Sequence, residues 1–443
     1  MFSTLANPTY RNLFFAQVIA LVGTGLATVA LGLLAYDIAG ADGGAVLGTA
    51  MAIKMVAYIG IAPLVGAYAA RLPRRAFLIA MDVVRALVAL ALPFVDQVWQ
   101  VYLLIFVLQS ASAGFTPTFQ ATIPDVLPEE KDYTRALSLS RLAYDLESLL
   151  SPLLAAALLT VMSFHWLFSG TALGFAVSAI LVLATSLPRT SAAAAVGGIY
   201  DRTTRGMRLY LKTPRLQGLL AVTLAAAAAS AMVIVNTVVL VRADLGLGQR
   251  EVAITLAAFG GGSMIAALAL PRVLDRLADR AVMLAAGAFL TIVLVGLAST
   301  WSFNDRPSYW YGLLAAWAGL GVAYSASVTP GGRLLRRSSN PEDRPALFAA
   351  QFALSHICWL IAYPLAGQIG AGRGMGAAFA AAAALALLGV VLAIALWPAD
   401  DPEVLPHRHD DLPPDHPHLK EHHQGGRAAH AFVLDDLHRT WPR

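Results

Sequence analysis

"GAYAARLPRRAFLIA", residues 66–80, and "PRVLDRLADRAVMLA", residues 271–285, are the stretches on which the fold turns. Set 205 positions apart, they match Arg71 with Arg276, Leu72 with Leu277 and Arg75 with Arg280. Each is a short basic patch between long apolar runs, so the chain reads as one unit written twice.

The surroundings of the patches fix the class. The 443 residues are 58% hydrophobic and 13% charged, and the mean hydropathy is +0.66. Soluble globular domains hold about 45–50% apolar and about 25% charged residues. The chain is therefore expected to be an integral membrane protein. A helix crossing the hydrocarbon needs about 20 mostly apolar residues. In the first half such runs lie at 13–38, 46–69, 77–95, 100–121, 138–162 and 166–187; in the second, at 216–241, 251–271, 281–300, 309–330, 346–369 and 375–397. The first run is far longer than the about 7–15 apolar residues of a removable signal peptide. The single cysteine, Cys358, excludes a disulfide framework within the chain.

Loop charge gives the orientation. The amino terminus, alternate loops and the tail carry 24 of the 31 Lys and Arg residues. Positive charge stays on the cytoplasmic side, so both termini are expected there. The expectation is an all-α membrane protein of twelve transmembrane helices in two parallel six-helix repeats. Its parts are a bundle over 1–187, a cytoplasmic linker over 188–215, a second bundle over 216–397 and a tail over 398–443. Two such halves, with a site between them near the midplane, are the plan of a secondary transporter.

On these residues the sequence resembles the major facilitator superfamily, over about residues 5–397. That family's signature loop follows the second span: a Gly, three residues, Asp-Arg, one residue, Gly, then two basic residues. Here Gly66, Arg71, Arg74 and Arg75 match, whereas Ala70 and Pro73 replace the Asp and the second Gly. The second-half copy keeps Asp275 and Arg276 and lacks both glycines. The resemblance implies that these loops gate the cytoplasmic side; the alternative is that their arginines simply anchor the loops at that face. Asp82 and Arg85, near the start of span three, are expected to brace the gating loop. "NPTYRNLFFAQVIALVGTGL" (7–26), "MDVVRALVAL" (81–90) and "IPDVLPEEKDYTRALSLSRLA" (123–143) are similar to the branch containing macrolide and enterobactin exporters.

Charge inside a span costs at least about 2.5–3.5 kcal/mol at the helix centre. The densest set is "SRLAYDLESLLSP", 140–152, in span five. Arg141 and Asp145, four apart, share a face and can pair. Glu147 lies about 200° round the helix from Asp145. With no basic neighbour three or four residues away, it is the carboxylate left to bind a cation or carry a proton; a carboxyl removed from water can exchange protons near neutral pH. The alternative is that both carboxylates reach the cytoplasmic headgroups. Span eleven, "QFALSHICWLIAYP" (351–364), adds His356 and Cys358, either metal ligands or satisfied packing residues. Asp37, Lys54 and Asn236 are isolated polar residues without an assigned role.

From Pro398 the composition turns to Pro, Asp, Glu and His, and disorder is expected. The tail holds eight of the ten histidines: His407, His409, His416, His418, His422, His423, His430 and His438. Clustered imidazoles favour nickel, copper, zinc or cobalt over magnesium or calcium. Their irregular spacing points to several labile sites and not to one rigid zinc site.

An exporter of this superfamily with a histidine-rich tail resembles its nickel-resistance exporters. The resemblance implies export of nickel, and possibly cobalt, by proton antiport across a bacterial cytoplasmic membrane, with the tail collecting metal. Asp145, Glu147, Arg141 and His356 would then serve transport and proton coupling. Two other readings stay open: an exporter of an organic compound, drug or siderophore, whose tail tunes it by metal, and a membrane protein that stores or senses metal. No resident cofactor is expected, only a labile divalent metal on the tail. The expected partners are the bilayer, protons and a metal ion or small molecule, with no nucleic acid; no nucleotide loop or nucleophile elbow suggests an enzyme.

Overall fold

The computed structural model describes residues 2–68, 73–187, 199–301, 309–340, 344–401, 404–407, 423–424, 427–434, 438 and 441. The first half contains α1 (Pro8–Ala39), α2 (Gly43–Tyr68), α3 (Arg74–Ala91), α4 (Val98–Val126), α5 (Glu130–Leu158) and α6 (His165–Leu183). After α7 (Ile199–Lys212), the second contains α8 (Pro214–Val239), α9 (Gln249–Leu274), α10 (Asp279–Thr300), α11 (Tyr309–Val328), the short α12 (Gly331–Arg337), α13 (Arg344–Arg373) and α14 (Met375–Leu396). Ten stretches of the described chain are long and apolar enough to cross a membrane, and one of them, Pro8–Ile61, holds both α1 and α2. The charged α5 is outside that set and completes the twelve long helices. Aliphatic side chains on the outer belt, such as Leu173, Ile265 and Ile292, are about two-thirds exposed (65%, 67% and 67%), as a lipid-facing surface requires.

Local chemistry sets the ends. Asn7 caps α1, its side chain accepting from the amides of Thr9 and Tyr10 at 3.0 and 3.1 Å, with Pro8 in the first turn. The helix stops at Gly40, whose φ of 56° suits a residue without a Cβ. Within the spans, several hydroxyls bond back to their own helix, as Thr24 to Ala20 O (2.9 Å) and Thr28 to Thr24 O (3.0 Å), which satisfies these donors away from water.

Glycines set the closest helix contacts. In the first half Thr171 Oγ1 of α6 donates to Gly23 O of α1 at 2.7 Å. In the second half a Cβ on Gly262 of α9 would strike Ala318 O of α11, and one on Gly321 would strike Phe259 O. The halves meet along α2 and α13. A Cβ on Gly48 would lie 2.6 Å from Tyr363 O, and one on Gly367 would strike Gly44 O. Gln368 Nε2 donates to Thr49 Oγ1 at 3.2 Å beside this seam. Buried Asn236 of α8 donates to Ala366 O at 3.0 Å beneath it.

The linker expected over 188–215 contains α7, an amphipathic helix whose Tyr210 is buried and donates to Gln351 Oε1 of α13. Beyond Pro398, where composition points to disorder, the described residues include three short strands: β1 (Val404–His407), β2 (His423–Gln424) and β3 (Arg427–Ala431), antiparallel in the order β1-β3-β2.

Candidate functional site

Arg71, His409, His416, His418 and His422 lie outside the described residues. For Arg141, Asp145, His407, His423 and His430 the backbone alone is described. Gly66 lies in the last turns of α2.

Glu147 faces α1. A Cβ on Gly25 would lie 2.6 Å from Glu147 Oε1 and would overlap Ser151 Oγ, so a bare backbone there makes room for both side chains. Ser151 is 1% exposed, and among the described residues its hydroxyl has no hydrogen-bond partner. The absence of a basic neighbour along α5 misled the sequence reading: Lys54 of α2 lies within electrostatic range of Glu147, so the carboxylate has a cation facing it from another helix. Lys54 also lines a cavity of about 20 Å³ with Thr24, Thr28, Gln109 and Ser112, room for about one water. Tyr144, one turn before Glu147, is hydrogen-bonded to Gln17, and Gln17 Oε1 accepts from Ser140 Oγ at 3.0 Å.

The second half contributes His356. Its Nδ1 lies 2.6 Å from Phe352 O. A carbonyl can only accept, so Nδ1 carries a proton, and in the neutral ring the lone pair is then on Nε2. The ring stacks on Tyr58 of α2 at 5.4 Å and 12°, one turn beyond Lys54, and Lys54 acts electrostatically on it as well. Glu147, Lys54, Tyr58 and His356 thus form one constellation drawn from both halves. Cys358 stands apart from it, a buried thiol directed at Leu354 O (3.8 Å) and Leu220 O (4.0 Å). Among the described residues no group of three His, Cys, Asp or Glu side chains could hold a metal ion.

Asp82 and Arg85, expected to brace the gating loop, make their described contacts with neighbouring helices. They are 0% and 5% exposed inside the first half. Arg85 pairs with Asp82, and Ser178 Oγ of α6 donates to Asp82 Oδ2 at 2.8 Å. The Arg85 guanidinium lies 4.1 Å from the centre of the Phe115 ring and 4.5 Å from that of Phe175. These residues tie α3 to α4 and α6, a buried charge compensated by one carboxylate and two aromatic faces.

The arginines that open the third span of each half make the contacts of a repeated brace. Arg75 donates to Leu183 O at the end of α6, and its counterpart Arg280 donates to Trp397 O, just past α14, at 3.2 Å. Each arginine satisfies a carbonyl at the end of the sixth span of its own half. Arg74 pairs with Asp125 near the end of α4. The position 205 residues on is Asp279, paired with Arg333 of α12 at 3.5 Å, so the second brace has its charges exchanged. Asp275 and Arg276 are exposed beyond α9.

At the root of the tail, Asp401 gathers the ends of span seven, span twelve and the short α12. Its carboxylate lies 3.3 Å from Arg215 Nη2 and 3.4 Å from Arg337 Nη1, and accepts from Trp397 Nε1 at 3.1 Å. Its carbonyl accepts from Arg337 Nη2 at 2.6 Å. Arg215, 1% exposed, also lies beneath the ring of Trp441, with the guanidinium carbon 4.8 Å from its centre.

Two six-helix halves that meet at a set of partly buried charged residues are the plan of a secondary transporter. The chain belongs to the Major Facilitator Superfamily, whose sequence pattern matches residues 13–298 and 218–421. It is 26% identical over 153 residues to macrolide efflux protein A of Enterococcus faecalis, covering 32% of this chain and 47% of that protein. It is 27% identical over 129 residues to the uncharacterized MFS-type transporter YfiS of Bacillus subtilis (strain 168), covering 29% of this chain and 30% of that protein. The chain thus matches less than half the length of either relative. Among solved structures, the nucleoside transporter NupG superimposes with a TM-score of 0.64 at 14% identity, covering 88% of this chain and 98% of that one. A D-xylose-proton symporter gives 0.63 at 13% identity, covering 90% and 98%. At such identities the likeness is one of fold.

Proposed function

We propose that this transporter exports a divalent transition-metal ion, nickel first and cobalt second, from a bacterial cytoplasm across the inner membrane in exchange for protons. The observation that carries coupling is Glu147, a carboxylate inside the membrane part beside Lys54, at the seam where alternating access exchanges one exposure for the other. Such intramembrane charges mark ion and proton pathways. His356, with its Nε2 lone pair, adds a second proton- or cation-accepting group from the opposite half. The choice of metal rests on the tail. Its eight histidines begin within six residues of Asp401, a chain length that reaches at most about 20 Å. Asp401 is held by Arg215 and Arg337 at the ends of span seven and of the short helix after span ten, so labile metal on the tail is concentrated near the inner mouth by tethering.

The match to macrolide efflux protein A favours a second reading, proton-coupled export of an organic compound with the tail as metal-responsive regulator. Lys54 in the site also fits a substrate bearing an anionic or hydrogen-bonding group. Elemental analysis of metal-sensitive bacteria separates the two. Cells expressing the full chain should hold several-fold less nickel than control cells. A chain ending at Asp401, which keeps the clamp on Arg215 and Arg337, should lose part of this protection, and Glu147→Gln most of it. Unchanged nickel, cobalt, zinc and copper in all cells would remove the metal reading and leave organic export.

A further inference from the structure

Lys54 makes the site a poor one for a bare metal ion. An ammonium group only donates hydrogen bonds and offers no lone pair to a metal. A divalent cation brought to Glu147 would stand near a like charge away from water, where repulsion is strong. Yet Lys54 belongs to the site by its packing. It lines a recess with Thr24 and Thr28 of α1, and Gly25, between those threonines in sequence, is the residue whose bare backbone makes room for Glu147. One turn further along α2, Tyr58 stacks on His356 of the opposite half.

The groups so gathered ask for different things. Glu147 attracts positive charge. His356 has an imidazole nitrogen to offer, a ligand that suits nickel. Lys54 donates charge-assisted hydrogen bonds to oxygens of carboxylate or phosphate. Beside them lies an aromatic face: the Phe352 ring is 4.1 Å from that of His356 and 6.1 Å from that of Tyr58, centre to centre. Phe352 is 43% exposed, and such a face with a few placed polar groups is the usual lining of a site for an organic molecule. A metal ion alone meets Glu147 and His356 and is repelled by Lys54. An organic acid alone meets Lys54 and is repelled by Glu147. A complex of the two satisfies all three groups and gives the aromatic face something to cover.

We propose that the cargo is a transition-metal ion already held by a small carboxylate-bearing chelator, with the metal toward Glu147 and His356 and a chelator carboxylate on Lys54. The proposal rests on the reading that this transporter exports metal, and adds the chemical form in which the metal crosses. Lys54 is then the residue that selects chelate over free ion.

Inside-out membrane vesicles from cells expressing the full chain test it, with a proton gradient imposed and with radioactive nickel(II) and carbon-labelled citrate as probes. At one buffered concentration of free nickel, adding citrate raises only the complex; nickel uptake should rise several-fold, and labelled citrate should enter in step with it. Citrate without nickel should enter several-fold more slowly. Lys54→Gln should lose most of the citrate-dependent uptake, whereas Lys54→Arg, which keeps the charge, should retain it. The proposal is overturned if nickel uptake follows the free ion while labelled citrate stays outside, a result that leaves metal export standing. It is overturned as well if Lys54→Gln carries the complex as fast as the unaltered chain. No nickel uptake in either form would remove the proposal and the metal reading together. The labelled-citrate measurement on the unaltered chain decides the matter even where a Lys54 variant fails to fold.

Discussion

Glu147 shows how far a residue can be read from its own helix. Its presence in an apolar run marked it as functional, because a charge there is expensive. Its partner was invisible, since Lys54 is 93 positions away in sequence and meets it through the packing of α2 against α5. Lys54 was noticed only as an isolated polar residue; a charge of opposite sign in another span was the available signal. Gly25 carries no chemical signal at all, yet its missing side chain makes the space that Glu147 and Ser151 occupy. Gly25→Val should therefore lower the stability of the purified protein by about 1–3 kcal/mol, the usual cost of overpacking, read as a reduced midpoint of thermal unfolding. Gly60, which has open space where a Cβ would go, should accept alanine with the midpoint unchanged.

At the scale of helices, apolar length found the twelve spans but not α7 or α12. Both are short, basic and amphipathic or partly exposed, so a test for continuous apolarity passes over them. Side-chain contacts between spans were equally beyond reach, because a glycine in an apolar run reads the same whether it faces lipid or a neighbouring backbone. Gly262 and Gly321 belong to the second kind, each admitting the backbone of the other's helix. Gly262→Val and Gly321→Val should each destabilise the protein, and the double substitution should cost clearly less than their sum, because either one alone already parts α9 from α11. Additive losses in denaturant unfolding would mean that the two contacts are independent.

For the molecule as a whole, the 205-residue repeat was legible in three matched residues, and the structure gives one of those pairs, Arg75 and Arg280, a mechanical meaning. Arg75 and Arg280 end the same span of each half in the same way, while the equivalent positions Arg74 and Asp279 each join an ion pair, with Asp125 and Arg333, of opposite polarity. The first half should therefore tolerate the polarity of the second. Arg74→Asp alone sets two carboxylates together and should lower the unfolding midpoint by a degree or two; adding Asp125→Arg should recover it. The effect stays small, since partly exposed ion pairs contribute roughly 0–1 kcal/mol. That weakness bears on history. A charge pair cannot change sign in a single substitution. Exchanging such a pair therefore passes through a neutral or self-repelling step, and the bundle can bear it because a partly exposed pair contributes little. Drift could thus rewrite the charges while selection kept the position.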